Sequence, residues 1–163
     1  MEHLMTRKKQ IKKDLFIDMD GVLAHFWHSP MFTEEERWKD PGKMHEPYFF
    51  ETLPVIEGAN WAVSRFIHSN KFNSINILTK PLKKRWYSYS EKVKWAWANF
   101  PELADRMILT QEKGLLAAPN RILIDDTPRE WQKPWEEKGG QFIHFNDRLD
   151  HRQQWEAIVK ELT

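Results

Sequence analysis

Cysteine is absent from this 163-residue chain. That excludes disulfides, thiolate zinc sites and a cysteine nucleophile, and it fits a reducing compartment. Long apolar runs are absent as well; none approaches the roughly 20 residues of a membrane-spanning helix. Met1 to Lys13 is basic but lacks the apolar stretch of a secretory signal. An excess of charge of one sign is also missing. The 25 Lys and Arg nearly balance the 24 Asp and Glu, for a formal net charge of +1, so a broad nucleic-acid-binding surface is not implied. There is no internal repeat and no low-complexity tract. The expectation is a cytoplasmic globular protein without a membrane partner. Its length suits one domain, residues 1–163, with a sizeable core.

What the chain does have is a pair of acidic sites, each placed directly after an apolar run. In Asp14-Leu15-Phe16-Ile17-Asp18-Met19-Asp20-Gly21, three apolar residues lead into two carboxylates one residue apart and then a glycine. A short apolar run reads as a buried strand. Side chains alternate along a strand, so Asp18 and Asp20 point the same way while strand geometry lasts. Like charges that close are costly unless a cation or a proton lies between them. Asp is also a common turn residue, and this stretch alone leaves both readings open. The second site is built alike: Ile122-Leu123-Ile124 runs into Asp125-Asp126-Thr127-Pro128.

Between the sites, strands and helices alternate. Strands are expected at Ile75–Leu78, Met107–Leu109 and Gln141–Phe145. Helices are expected after Pro54 up to Ser69, with Ala59, Ala62, Val63, Phe66 and Ile67 at helical spacing, and after Ser88 or Ser90 up to Pro101, with Val93, Ala96, Trp97 and Phe100 on one face. A last helix is expected over Asp150 to Leu162. Roughly residues 25–52 lack a long period and are rich in aromatics. They read as a small cap inserted after the first strand, with a short helix at Thr33–Trp38 closed by a Thr33/Glu36 capping box. Residues 1–13 read as a solvated basic leader.

The alternation predicts an α/β fold, a Rossmann-like, mainly parallel sheet flanked by helices. Ligands bind off the carboxyl ends of the strands in such sheets. Those ends carry Asp18 and Asp20, Thr79 and Lys80, Lys113, and Asp125 and Asp126.

This set resembles the haloacid dehalogenase-like superfamily of phosphate-transferring enzymes. Asp18-Met19-Asp20-Gly21-Val22 is similar to its first motif, Thr79 to its second, Lys113 to its third and Asp125-Asp126 to its fourth. Within it, the chain looks most like the 5'(3')-deoxyribonucleotidases, in Asp18 to Ala24 with Phe26, in Tyr48-Phe49-Phe50-Glu51, in Glu91 to Trp97, and in Ile108-Leu109-Thr110 leading to Lys113. It departs at His25, Lys80 and Gln111.

The resemblance implies a Mg²⁺-dependent phosphomonoester hydrolase. Asp18 would form an aspartyl-phosphate, Asp20 would act as general acid and base, and Thr79 and Lys113 would hold the phosphoryl group. Mg²⁺ would be held by Asp18, the Asp20 carbonyl and the Asp125–Asp126 pair, with Asp126 favoured as the direct ligand. Phe26, with Phe49 or Phe50 and Trp27 or Trp38, could stack on a nucleobase, and Lys80 could add a phosphate contact. His25 and His28 are read as structural, since Mg²⁺ prefers oxygen. The expected partner is a small phosphorylated substrate, first of all a nucleoside monophosphate. A sugar phosphate, another metabolite or a nucleic-acid end are alternatives within the same chemistry, and a non-catalytic phosphate-binding protein is one outside it. A homodimer is left open.

Overall fold

A computed structural model describes residues 11–163. Most of the basic leader, including Arg7, Lys8 and Lys9, therefore lies outside the described residues. Lys13 already belongs to β1, Lys13–Ile17. In chain order follow α1 (Ala59–Ser69), β2 (Phe72–Thr79), α2 (Trp86–Asn99), the one-turn α3 (Pro101–Ala104), β3 (Met107–Leu109), β4 (Arg121–Asp125), α4 (Pro128–Glu136), β5 (Gln141–His144) and α5 (His151–Leu162). The five strands form one sheet in the order β3-β2-β1-β4-β5, parallel throughout. The α/β expectation holds.

Strand alternation divides the core in two. Leu15, Ile17, Ile75, Ile77, Ile122 and Ile124 face one side, packed with Phe66 of α1, Trp95 of α2 and Trp155 of α5. Phe16, Leu78 and Leu123 face the other, against Trp131 and Trp135 of α4. Both faces are thus covered, as a parallel sheet requires. Among the described residues no helix is long and apolar enough to cross a membrane.

Three helical expectations change. Residues 34–39 form turns rather than a helix. The capping box does form, with Glu36 N–H on Thr33 Oγ1 and Thr33 N–H on the Glu36 carboxylate, but Trp38 takes a left-handed φ of 66° and stops propagation. The second helix starts at Trp86 without a serine cap. Its buried face is Ser88, Glu91, Lys92, Trp95 and Ala96, whereas Trp97 is half exposed. Helix α4 has no counterpart among the expected helices. Its buried residues are Trp131 and Trp135, four apart, in a polar segment with Pro128 at its start and Pro134 inside it.

The segment following β1 is built of short 3₁₀ turns at Phe26–His28, Pro41–His45 and Phe50–Thr52. It is latched to α2 by Glu91, whose carboxylate accepts from Tyr48 N–H (2.6 Å) and Phe50 N–H (3.1 Å).

Candidate active site

The strands of a parallel sheet all present their carboxyl ends at one edge, so residues distant in sequence meet there. Asp18 lies one residue beyond β1 and keeps strand pairing, its N–H donating to Ile124 O at 2.9 Å. The chain then turns through Gly21, which has a φ of +77°. Only glycine fits here. A Cβ would stand 2.1 Å from Asp126 Oδ2, so the first acidic site closes directly over the second.

Lys113 sits in a turn after β3, 2 % exposed, and bridges Asp18 Oδ1 and Asp125 Oδ2, each at 2.6 Å. Asp125 ends β4, and its other oxygen accepts from Thr127 N–H at 2.8 Å and from the Thr127 hydroxyl. The Asp125 carboxylate is therefore satisfied by protein donors. Asp126 makes no hydrogen bond or ion pair of this kind among the described residues and faces a cavity of about 280 Å³, together with Asp18, Asp20 and Lys113. Carboxylate oxygens of Asp18, Asp125 and Asp126 approach within 4.8 Å of one another.

Electrostatics follow from this crowding. Burial raises Asp18 to about 7; Lys113 opposes that rise, while Asp125 and Asp20 add to it. Burial also raises Asp126 well above the carboxylate range, reinforced by Asp18, Asp125 and Asp147. Burial alone would lower Lys113, but the attraction of Asp18 and Asp125 outweighs it and its pKa ends raised.

Sequence reasoning misses Lys92. It projects from α2, fully buried, and its ammonium meets Asp20 Oδ2 and the Thr79 hydroxyl, the latter at 3.0 Å. It also lies 4.3 Å from the centre of the Phe50 ring. A signal is present: Glu91 and Lys92 share the helix face of Trp95, and buried charges are rare unless paired. Asp147, Glu130 and Trp131 are missed as well, and all three line the cavity. Burial raises Asp147, against the pull of Arg148 and His151.

The remaining expected residues divide. Phe26 and Lys80 line the cavity, with Trp27. Lys80 pairs with Glu130, and its ammonium lies 5.3 Å from the Trp131 ring centre. Thr79 is fully buried behind Lys92. Phe49 and Phe50 are corrected: both are core residues, 0 % and 2 % exposed, held inward by the Glu91 latch and by edge-to-face packing on each other. Trp27 stacks on Phe32 and on Trp38 at centroid distances of 5.5 and 5.6 Å. Phe26 packs on Trp27 and Phe49, each at 5.1 Å between ring centres, and with Trp27 and Trp131 supplies the aromatic rings of the cavity wall. His25 and His28 stand outside the cavity lining; their rings lie 3.9 Å apart, with His151 4.8 Å from His25. Burial, with His28, His151 and Arg37, pushes His25 down to about 4.

The residues present fit a divalent cation that prefers oxygen. Asp18, Asp20, Asp125 and Asp126 set four carboxylates against two ammonium groups, Lys92 and Lys113. Asp20 Oδ1 is buried without a hydrogen-bond partner. The formal surplus of two carboxylates over ammonium groups, the upward push on Asp18 and Asp126 that a cation would relieve, and the all-oxygen donor set match Mg²⁺.

No family model matches the chain, and no curated protein matches it. Solved structures do. A haloacid dehalogenase-like family hydrolase from Xanthomonas campestris superposes with a TM-score of 0.61 at 14% identity, covering 94% of this chain and 96% of that one. A haloacid dehalogenase-like hydrolase from Burkholderia xenovorans LB400 gives a TM-score of 0.47 at 14% identity, over 82% of each chain. The chain has the fold of the haloacid dehalogenase-like hydrolases.

Proposed function

We propose that this protein is a Mg²⁺-dependent phosphomonoester hydrolase acting through an aspartyl-phosphate on Asp18, with a nucleoside monophosphate as substrate. The observation that carries this reading is Asp18 itself. It is held by Lys113 at 2.6 Å, with Asp20 and Asp126 beside it on the wall of one cavity.

In the first half-reaction the Asp18 carboxylate attacks phosphorus, and the bond from phosphorus to the leaving oxygen breaks as Asp20 gives that oxygen a proton. In the second, Asp20 takes a proton from water, which attacks phosphorus and releases inorganic phosphate and free Asp18. Lys113, on the cavity wall, neutralises phosphoryl oxygens, while Lys92, fixed by the Thr79 hydroxyl, pairs with Asp20 and positions it; phosphoryl transfer depends mostly on such positioning. Mg²⁺, held by Asp18, Asp126 and the Asp20 carbonyl, would supply charge neutralisation and keep Asp18 ionised at neutral pH. Phe26 supports a flat substrate group such as a nucleobase.

The test is phosphate release from nucleoside monophosphates beside sugar phosphates, with and without Mg²⁺, by wild type and Asp18→Asn. The expected result is Mg²⁺-dependent release that prefers nucleotides and falls by about 10³-fold or more in the variant. Release confined to sugar phosphates would reject the nucleotide assignment. Release that survives in Asp18→Asn would reject the covalent mechanism.

A further inference from the structure

Between Thr79 and Glu91 the chain carries Lys80, Lys83, Lys84 and Arg85 and no acidic residue. Lys83 to Trp86 are all exposed. Trp86 is 79 % exposed, the most of any large apolar side chain among the described residues. Tyr89, three residues on and so on the same side of α2, is also exposed. Its one aromatic neighbour among the described residues is Tyr87, edge-on at 6.1 Å between ring centres, and most of the ring faces outward. Among the described residues Lys83, Lys84 and Arg85 make no ion pair.

The loop is held in place. Leu82 N–H donates to Ser88 Oγ at 3.0 Å, and the Ser88 hydroxyl donates to Arg85 O at 2.9 Å. It also begins inside the site. Lys80 lines the cavity, and three Cα–Cα steps put the Lys83 Cα within about 11 Å of the Lys80 Cα.

We propose that this loop is a track for single-stranded nucleic acid whose terminal phosphomonoester enters the cavity at Asp18. The proposal rests on the phosphatase reading and extends the substrate from a free nucleotide to the end of a strand. Lys80 meets the phosphate nearest the end, Lys83, Lys84 and Arg85 meet the backbone beyond it, and Trp86 and Tyr89 offer ring faces to unstacked bases. Cations along a backbone release counterions, and aromatic rings stack on bases of any sequence. The near-zero net charge of the chain is no obstacle, because the charge that matters is local. The same mixture of cations and an exposed tryptophan also suits an anionic membrane surface. Continuity through Lys80 with the cavity that holds Asp18 favours the strand.

Binding is measured apart from turnover, by fluorescence anisotropy on Asp18→Asn with ten-nucleotide single-stranded DNA that is 5'-phosphorylated, 3'-phosphorylated or unphosphorylated, over a salt series. Anionic vesicles form a parallel arm. The expected result is tighter binding of one phosphorylated form and a salt slope that falls by about 2 when Lys83, Lys84 and Arg85 are changed to Ala together. Trp86→Ala weakens binding about tenfold or more. Both sets of changes, placed in the wild-type enzyme, leave hydrolysis of a nucleoside monophosphate unchanged. The proposal is overturned by an unaltered salt slope, by equal binding of the unphosphorylated strand, or by vesicle binding that alone responds to these changes. Oligonucleotide binding without any phosphatase activity would reject the catalytic reading instead, so the two failures are separable.

Discussion

Lys92 is the buried charge that holds Asp20 in place. It is buried without exposure and touches both Asp20 and Thr79. Lys92→Met keeps the bulk of the side chain and removes the charge. A charge-assisted hydrogen bond is worth about 1.5–3 kcal/mol, so kcat/KM should fall about 10- to 150-fold; an unchanged value would remove Lys92 from the mechanism. Asp18 gives a prediction in pH. Its folded-state pKa of about 7 lies above the ordinary 3.8, so the metal-free folded state favours the protonated carboxyl. The penalty for ionising it grows as pH rises from about 4 to about 7 and is constant above that. In EDTA, thermal melts should show wild type losing stability relative to Asp18→Asn across that window. A difference that does not vary with pH would contradict the assignment. At this scale the sequence shows Asp18, Asp20, Lys113 and the Asp125–Asp126 pair, because apolar runs followed by polar residues mark strand ends. It does not show Lys92, Glu130 or Asp147, since a charged residue on a helix or loop looks solvated until the packing around it is known.

At the scale of elements, α2 does two jobs through adjacent residues. Lys92 enters the site, and Glu91 holds the segment before α1 by accepting from Tyr48 and Phe50. Glu91→Ala leaves two backbone donors without that acceptor, each worth about 1–3 kcal/mol when buried. Urea denaturation should register a loss of about 2–4 kcal/mol, and limited proteolysis should cut first within residues 25–52. Equal stability would mean that the latch is not structural. The strands are readable in the sequence because a short apolar run bounded by polar turns suits a buried strand and little else. Helix α4 is not, because two tryptophans four residues apart among charges and two prolines give almost no period. The phase of α2 escapes for a related reason. Its buried face contains Glu91 and Lys92, so a pattern that equates burial with apolarity selects Trp97 instead.

For the whole molecule, the parallel order β3-β2-β1-β4-β5 gathers the site. Asp18 follows β1 and Asp125 ends the neighbouring β4, while Thr79 ends β2 on the other side of β1. The arrangement crowds carboxylates onto one cavity wall, and so ties stability to cation binding. At 100 times its dissociation constant, Mg²⁺ should stabilise the fold by about 2.7 kcal/mol. For a chain of this length that raises Tm by roughly 5–10 °C. The rise should be larger at pH 8 than at pH 5, where protons compete for Asp18 and Asp126. Asp126→Asn should remove most of it. A Tm indifferent to Mg²⁺ at both pH values would empty the proposed metal site.

The measurement that bears most directly on the central claim is phosphate release from a nucleoside monophosphate by wild type and Asp18→Asn, each with Mg²⁺ and with EDTA. Release is predicted for wild type with Mg²⁺ alone, with the other three conditions lower by about 10³-fold or more. Equal release by the variant, or release undiminished in EDTA, would contradict the covalent, Mg²⁺-dependent mechanism.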